Sequence, residues 1–128
     1  MAHISLATLV VPDYDEAIAF YCGRVGFRLV EDTPLDGSRR WVVVSPGPGA
    51  GLLLARAETG PQRERVGDQT GGRVAFFLHT DDFETDHERL ARAGVEFEEA
   101  PRREAYGTVA VWRDPFGNRW DLVGPGRS

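Results

Sequence analysis

The chain has no lysine, one cysteine and no long hydrophobic run. Each of these shortages excludes something. Its longest apolar stretch, Leu6 to Val11, is far below the ~20 residues that a membrane-spanning helix requires, so no transmembrane segment is expected. Met1-Ala2-His3-Ile4-Ser5 has no basic region leading into an apolar core, so no secretory leader is expected and the expected location is cytoplasmic. Cys22 cannot close an internal disulfide, and no Cys-x-x-Cys pattern exists. It falls inside a helical pattern and reads as a small apolar residue. All 15 basic residues are arginine, and 20 acidic residues outnumber them to give a net charge of −5. Without a basic block, neither nucleic acid nor an anionic membrane surface is an expected partner. Gly47-Pro48-Gly49-Ala50-Gly51 is glycine-rich but leads into a strand, so it reads as a hairpin turn and not a phosphate cradle. No nucleophile elbow, zincin or P-loop pattern occurs.

What is present is one domain's worth of chain, 128 residues of which 41% are hydrophobic, arranged as a faint internal repeat. In the first half, Ile4 to Val11 is a β-type run stopped by Pro12. Asp13 then stands as a helix N-cap with Glu16 three residues on, the spacing of a capping box. Tyr14, Ala17, Ile18, Tyr21 and Cys22 recur at helical spacing up to Gly26. Three extended runs follow: Phe27 to Glu31, Arg40 to Ser45 and Leu52 to Arg56. The second half repeats the plan with a strand at Val74 to His79 and a capping box at Asp81 and Glu84. Phe83, His87, Leu90 and Ala91 form a helical stripe ending at Gly94. Strands are then expected at Glu96 to Glu98, Thr108 to Arg113 and Arg119 to Val123. The last two are joined by the turn Asp114-Pro115-Phe116-Gly117-Asn118. The expected fold class is α+β, a single domain over residues 1–128. It comprises two tandem βαβββ modules, about 3–57 and about 73–124, and a linker over 58–72 long enough to cover a site.

This paired layout, the first helix Asp-Tyr-Asp-Glu-Ala-Ile-Ala-Phe-Tyr and the close Asp-Pro-Phe-Gly-Asn-Arg-Trp-Asp-Leu resemble the vicinal oxygen chelate superfamily. That is the glyoxalase, bleomycin-resistance and ring-cleaving dioxygenase group. The resemblance spans about residues 3–124 and implies a cupped mixed sheet and pairing as a homodimer. It leaves the chemistry open, because the superfamily contains both enzymes and binding proteins. Its metal-using members carry ligands on the first and last strands of each half. Aligning Asp13-Tyr14-Asp15 with Asp82-Phe83-Glu84 sets an offset of 69 residues and pairs Leu6 with Ala75; the closing strands pair Leu54 with Asp121. Three of these four side chains cannot coordinate a metal, and one carboxylate holds a divalent ion only weakly. No metal and no cofactor is therefore expected, and no catalytic residue is assigned.

Strand alternation sketches the cavity instead. Leu6, Thr8 and Val10 are expected to face it from the first strand, with Leu52, Leu54 and Arg56 from the fourth. Ala75, Phe77 and His79 are expected from the fifth, and Asp121 from the last. Trp41, Tyr106 and Trp112 are expected to line or roof it, since aromatic side chains stack on flat ligands. This profile resembles the antibiotic-binding resistance members of the superfamily, whose two ligand sites lie between subunits. The expected function is metal-free binding and sequestration of an aromatic, largely apolar small molecule, an antibiotic or other toxic natural product. The alternative is a metal-dependent glyoxalase- or dioxygenase-type enzyme with a rearranged site around His79 and Asp121.

Overall fold

The computed structural model describes residues 1–125 and divides into two compact units, Met1–Gly67 and the part from Asp68 onward. The last three residues of the expected 1–128 span lie outside the described residues. Both units are mixed α+β.

The first unit is a four-stranded sheet in the order β1-β4-β3-β2, built from β1 (Leu6–Val11), β2 (Arg28–Pro34), β3 (Arg40–Ser45) and β4 (Gly51–Arg56). β1 and β4 run parallel, with Leu9 opposite Leu54, and β3 returns antiparallel with Val42 opposite Leu54. Paired residues share a face, so Leu9, Val11, Val42, Val44 and Leu54 form one apolar layer, each fully buried. α1 (Tyr14–Ile18) lies on that layer, and its Asp13 cap accepts a hydrogen bond from Glu16 N at 2.8 Å. Beyond Ile18 the helix widens into a π-helical segment, Ala19–Arg24, in which Val25 N donates to Phe20 O at 3.0 Å. Phe20 and Tyr21 are buried there, and Gly26 ends the segment at φ 94°. The stretch expected as a plain linker holds another helix, α2 (Gly60–Arg65). It is fixed by a complete capping box: Gln62 N donates to Thr59 Oγ1, and Gln62 Oε1 accepts from Thr59 N and Glu58 N.

The second unit orders its sheet β5-β9-β8-β6, from β5 (Val74–His79), β6 (Glu96–Phe97), β8 (Gly107–Arg113) and β9 (Arg119–Gly124). A short strand not expected from the sequence, β7 (Arg102–Glu104), pairs with β8 and leaves Tyr106 at the tip between them. α3 (Phe83–Arg92) is capped by Asp82, not Asp81: its carboxylate accepts from Thr85 N at 3.2 Å and Thr85 Oγ1 at 2.7 Å. Phe83 and Leu90 are buried against the sheet, and His87 packs between the rings of Phe83 and Phe97. The Asp114–Asn118 turn is tied by the Asp114 carboxylate, which accepts from Phe116 N, Gly117 N and Asn118 N at 2.8 to 3.0 Å. No helix among the described residues is long and apolar enough to cross a membrane.

Candidate functional site

In the first unit the sheet face turned away from α1 is open. Thr8 opposes Leu53 and Val10 opposes Ala55, while Val43 and Trp41 continue the same face on β3. A cavity of about 260 Å³ lies over this floor, just under the ~300–1,000 Å³ usual for small-molecule sites. Thr8, Val10, Trp41, Leu53 and Ala55 line it, and Leu35 joins them from the β2–β3 loop. Trp41 is 37% exposed, a large apolar ring left partly in water at the cavity wall.

The rim is polar. Arg39, Arg40, Arg56 and Glu58 border the cavity with Tyr14 and Gln62. Arg40 is held by Asp32 at 2.7 Å and Asp15 at 2.9 Å, and its backbone N donates to Tyr14 Oη. The Arg40 hydrogen bond keeps the Asp32 carboxyl below the usual carboxylate range, and the same partners push Arg40 further up. Arg56 donates to Ser38 Oγ at 2.7 Å, and its guanidinium lies 5.3 Å from the Tyr14 ring centre. Glu58 faces both Arg56 at 3.5 Å and Arg39 at 3.9 Å.

The face of the second sheet turned away from α3 carries different chemistry, and its β8 and β9 residues Val109, Val111, Asp121 and Val123 are buried, leaving exposure to β5. Phe77 opposes Asp121 and His79 opposes Val123, so these four side chains share the face away from α3. Phe77 is 61% exposed and His79 is exposed, but Asp121 is only 6% exposed. Among the described residues Asp121 Oδ1 is buried without a hydrogen-bond partner. Burial raises its carboxyl pKa, with Arg102 pulling the other way and Glu99 adding to the rise. Beside it, Glu98 is held below the usual range by hydrogen bonds from Arg119 and Arg113.

The expected lining residues therefore separate into groups. Thr8, Val10, Trp41 and Arg56 meet at the first-unit cavity, Arg56 from the rim. Leu6 shares their face but does not line the cavity. Leu54 also lines the cavity, although its side chain is fully buried and paired with Leu9 and Val42 in the layer beneath α1. Leu52 shares that layer, and Leu53 lies on the face away from α1. Trp112 is a correction. It is 0% exposed and stacks on Trp120 at 4.8 Å, with Phe97 beside it on the α3 side of the sheet. Ala75 stands at a bulge, where the β5–β9 register shifts between Val74 and Phe76, so simple alternation does not apply to it. Phe77, His79 and Asp121 share the second unit's face away from α3, and Tyr106 stands 67% exposed at the β7–β8 tip.

The cavity wall from Glu58 and Gln62 was legible only as a covering stretch; Thr59-Gly60-Pro61-Gln62 is the capping-box signal that could have located it. The donors do not fit the metal site of the fold. The four positions that the resemblance marks for metal ligands hold Leu6, Leu54, Ala75 and Asp121, and three of these side chains offer no donor. Among the described residues no three His, Cys, Asp or Glu side chains group so as to hold an ion.

Residues 1–122 match the family described as the Glyoxalase/Bleomycin resistance protein/Dioxygenase superfamily. The chain is 49% identical over 126 residues to an uncharacterized protein of Shewanella frigidimarina (strain NCIMB 400), covering 96% of this chain and 91% of that one. It is 32% identical to the uncharacterized protein YurT of Bacillus subtilis (strain 168), covering 94% and 97%. Among solved structures it is similar to UcmS2, with a TM-score of 0.83, 31% identity and coverage of 96% and 98%. It is also similar to TnmS3, an antibiotic binding protein from Streptomyces sp. CB03234, with a TM-score of 0.78, 30% identity and coverage of 98% and 97%.

Proposed function

The chain belongs to the glyoxalase/bleomycin resistance protein/dioxygenase superfamily, and from that premise we propose that it binds and sequesters an aromatic, largely apolar small molecule without a metal ion. The natural ligand on this reading is an antibiotic or other toxic natural product. The observation that carries it is the cavity on the open face of the first unit. Its floor of Thr8, Val10, Leu53 and Ala55 and its wall of half-wet Trp41 offer contact area and a stacking surface, but no nucleophile or metal-ligand set. Similarity to TnmS3 supports the same reading. The exposed Phe77 and Tyr106 of the second unit are further ligand-contact candidates, with His79 and Asp121 as polar groups beside Phe77.

Pairing into a homodimer is part of this reading. Leu29 and Val30, exposed on the edge strand β2, are apolar surface for such a contact. Native mass spectrometry tests it: a dimer mass supports the reading, and a monomer at micromolar concentration opposes it. The binding claim is tested by titrating planar polycyclic antibiotics against intrinsic tryptophan fluorescence. Saturable quenching that weakens about tenfold or more in Trp41→Ala is expected. Absence of binding across a panel of such compounds would overturn it.

A further inference from the structure

We propose that the ligand of the first-unit cavity is an aromatic carboxylate, and that Arg39 and Arg56 bind its acid group. This rests on the reading of that cavity as a small-molecule site and adds the chemical class of what fills it. Three arginines but one glutamate line the cavity, in a chain whose overall charge is −5. The three guanidiniums are not equally satisfied. Arg40 is closed off by two carboxylates at 2.7 and 2.9 Å. Arg39 and Arg56 share Glu58 at 3.9 and 3.5 Å, longer than a charge-assisted hydrogen bond of ~2.7–2.9 Å. The other contacts of this pair are weak or neutral. Arg39 reaches the largely exposed Asp36 at 3.5 Å, and Arg56 bonds the Ser38 hydroxyl.

Two forked cations therefore share Glu58 at the mouth of the cavity, with Asp36 reaching Arg39 alone, and every one of these ion pairs is 3.5 Å or longer. A ligand carboxylate entering between them supplies a closer anion than Glu58 or Asp36 does, each of which stands 3.5 Å or more from these guanidiniums. Arginine presents a planar fork that matches a carboxylate, so the contact sets orientation as well as charge. The ring system then lies over Val10, Leu53 and Ala55 against Trp41, with the acid group outward at the rim. Tyr14 buttresses Arg56 from beneath, its ring centre 5.3 Å from the guanidinium carbon. The cavity volume of about 260 Å³ suits a fused bicyclic acid as a minimal probe.

The test compares 2-naphthoate with the uncharged 2-naphthamide by calorimetry on the full chain. The naphthoate is expected to bind about tenfold tighter, with a preference that shrinks as salt is raised. In Arg39→Gln/Arg56→Gln that preference disappears, while naphthamide affinity stays within about twofold. Arg39→Gln alone alters a half-exposed side chain and gives part of the loss without endangering the fold. Glu58→Gln removes the competing carboxylate and is expected to tighten naphthoate a few-fold. Equal binding of the two probes, or a preference that survives the double variant, overturns the proposal. If neither probe binds but a neutral polycyclic antibiotic does, the acid-group proposal falls and the binding reading stands. If no aromatic compound binds, both fall.

Discussion

In the first unit, the helix-free face of the sheet is apolar and carries its charges at the rim, where Arg39, Arg56 and Glu58 surround a cavity. In the second unit, the corresponding face carries a carboxylate in its middle, Asp121, beside a wet Phe77 and His79. Both faces sit on the same scaffold, a parallel pairing of first and last strand with a helix on the other side. The repeat has thus preserved the pairing that places side chains and let the side chains diverge. A shared backbone plan fixes where a site can be, and the residues on the open face decide what it does.

Two tryptophans, one in each unit, distinguish a buried face from an open one. Trp112→Ala removes a fully buried ring from the α3-side layer and is expected to cost about 3–5 kcal/mol in urea unfolding. Trp41→Ala, on the open face of the first unit, is expected to change stability by about 1 kcal/mol or less and to show its effect in ligand affinity. Similar stability losses for both would erase the distinction between the core and open faces.

Asp121→Asn probes the buried charge on the second unit's face away from α3. Burial raises the Asp121 pKa above its unfolded value, so the native state is at its best where both states are protonated, below the unfolded pKa. As pH rises through the folded pKa, the wild type loses that stability and the amide does not. The variant is therefore expected to be about 1–2 kcal/mol more stable at pH 7, with the gain vanishing in acid. Glu98→Gln should show the opposite slope. Arg119 and Arg113 lower the Glu98 pKa, so its contribution is full above the unfolded pKa and fades as pH falls through the folded one. A loss of about 1 kcal/mol at pH 7 that disappears in acid is expected. Parallel pH profiles for the two variants would contradict the assignment. The smallest effect is expected from Thr59→Ala, which removes one half of the capping box on α2. It should cost about 0.5–1 kcal/mol and slightly weaken ligand binding through Gln62, read by calorimetry.

The parts of the fold that could be read beforehand are those where local chemistry decides. Asp13 caps α1, and Asp114 ties its turn through its own carboxylate. The misplaced residues lie where hydrophobic pattern carries no phase. Leu52-Leu53-Leu54 is apolar on both faces of β4, so alternation could not tell the α1 side from the cavity side. Leu53 and Leu54 both reach the cavity, Leu53 on the face away from α1 and Leu54 from the buried layer, so strict alternation finds only one of the two. Val109-Ala110-Val111-Trp112 poses the same problem on β8. The π-helical widening after Ile18 leaves no mark in a sequence whose apolar residues already recur at helical spacing. Within it Phe20 and Tyr21 are buried in the core. The cavity rim joins Arg39 from a loop, Arg56 from a strand end and Glu58 from before α2, a convergence that no single sequence window contains.

The most direct test of metal-free sequestration is equilibrium dialysis of chelator-treated protein against a planar polycyclic antibiotic, with the recovered ligand weighed by mass spectrometry. Saturable binding at micromolar or tighter affinity, unchanged by added nickel, zinc, manganese or iron, with the ligand recovered intact, is the predicted result. Conversion of the ligand, or binding that emerges only when a metal is restored, would contradict it.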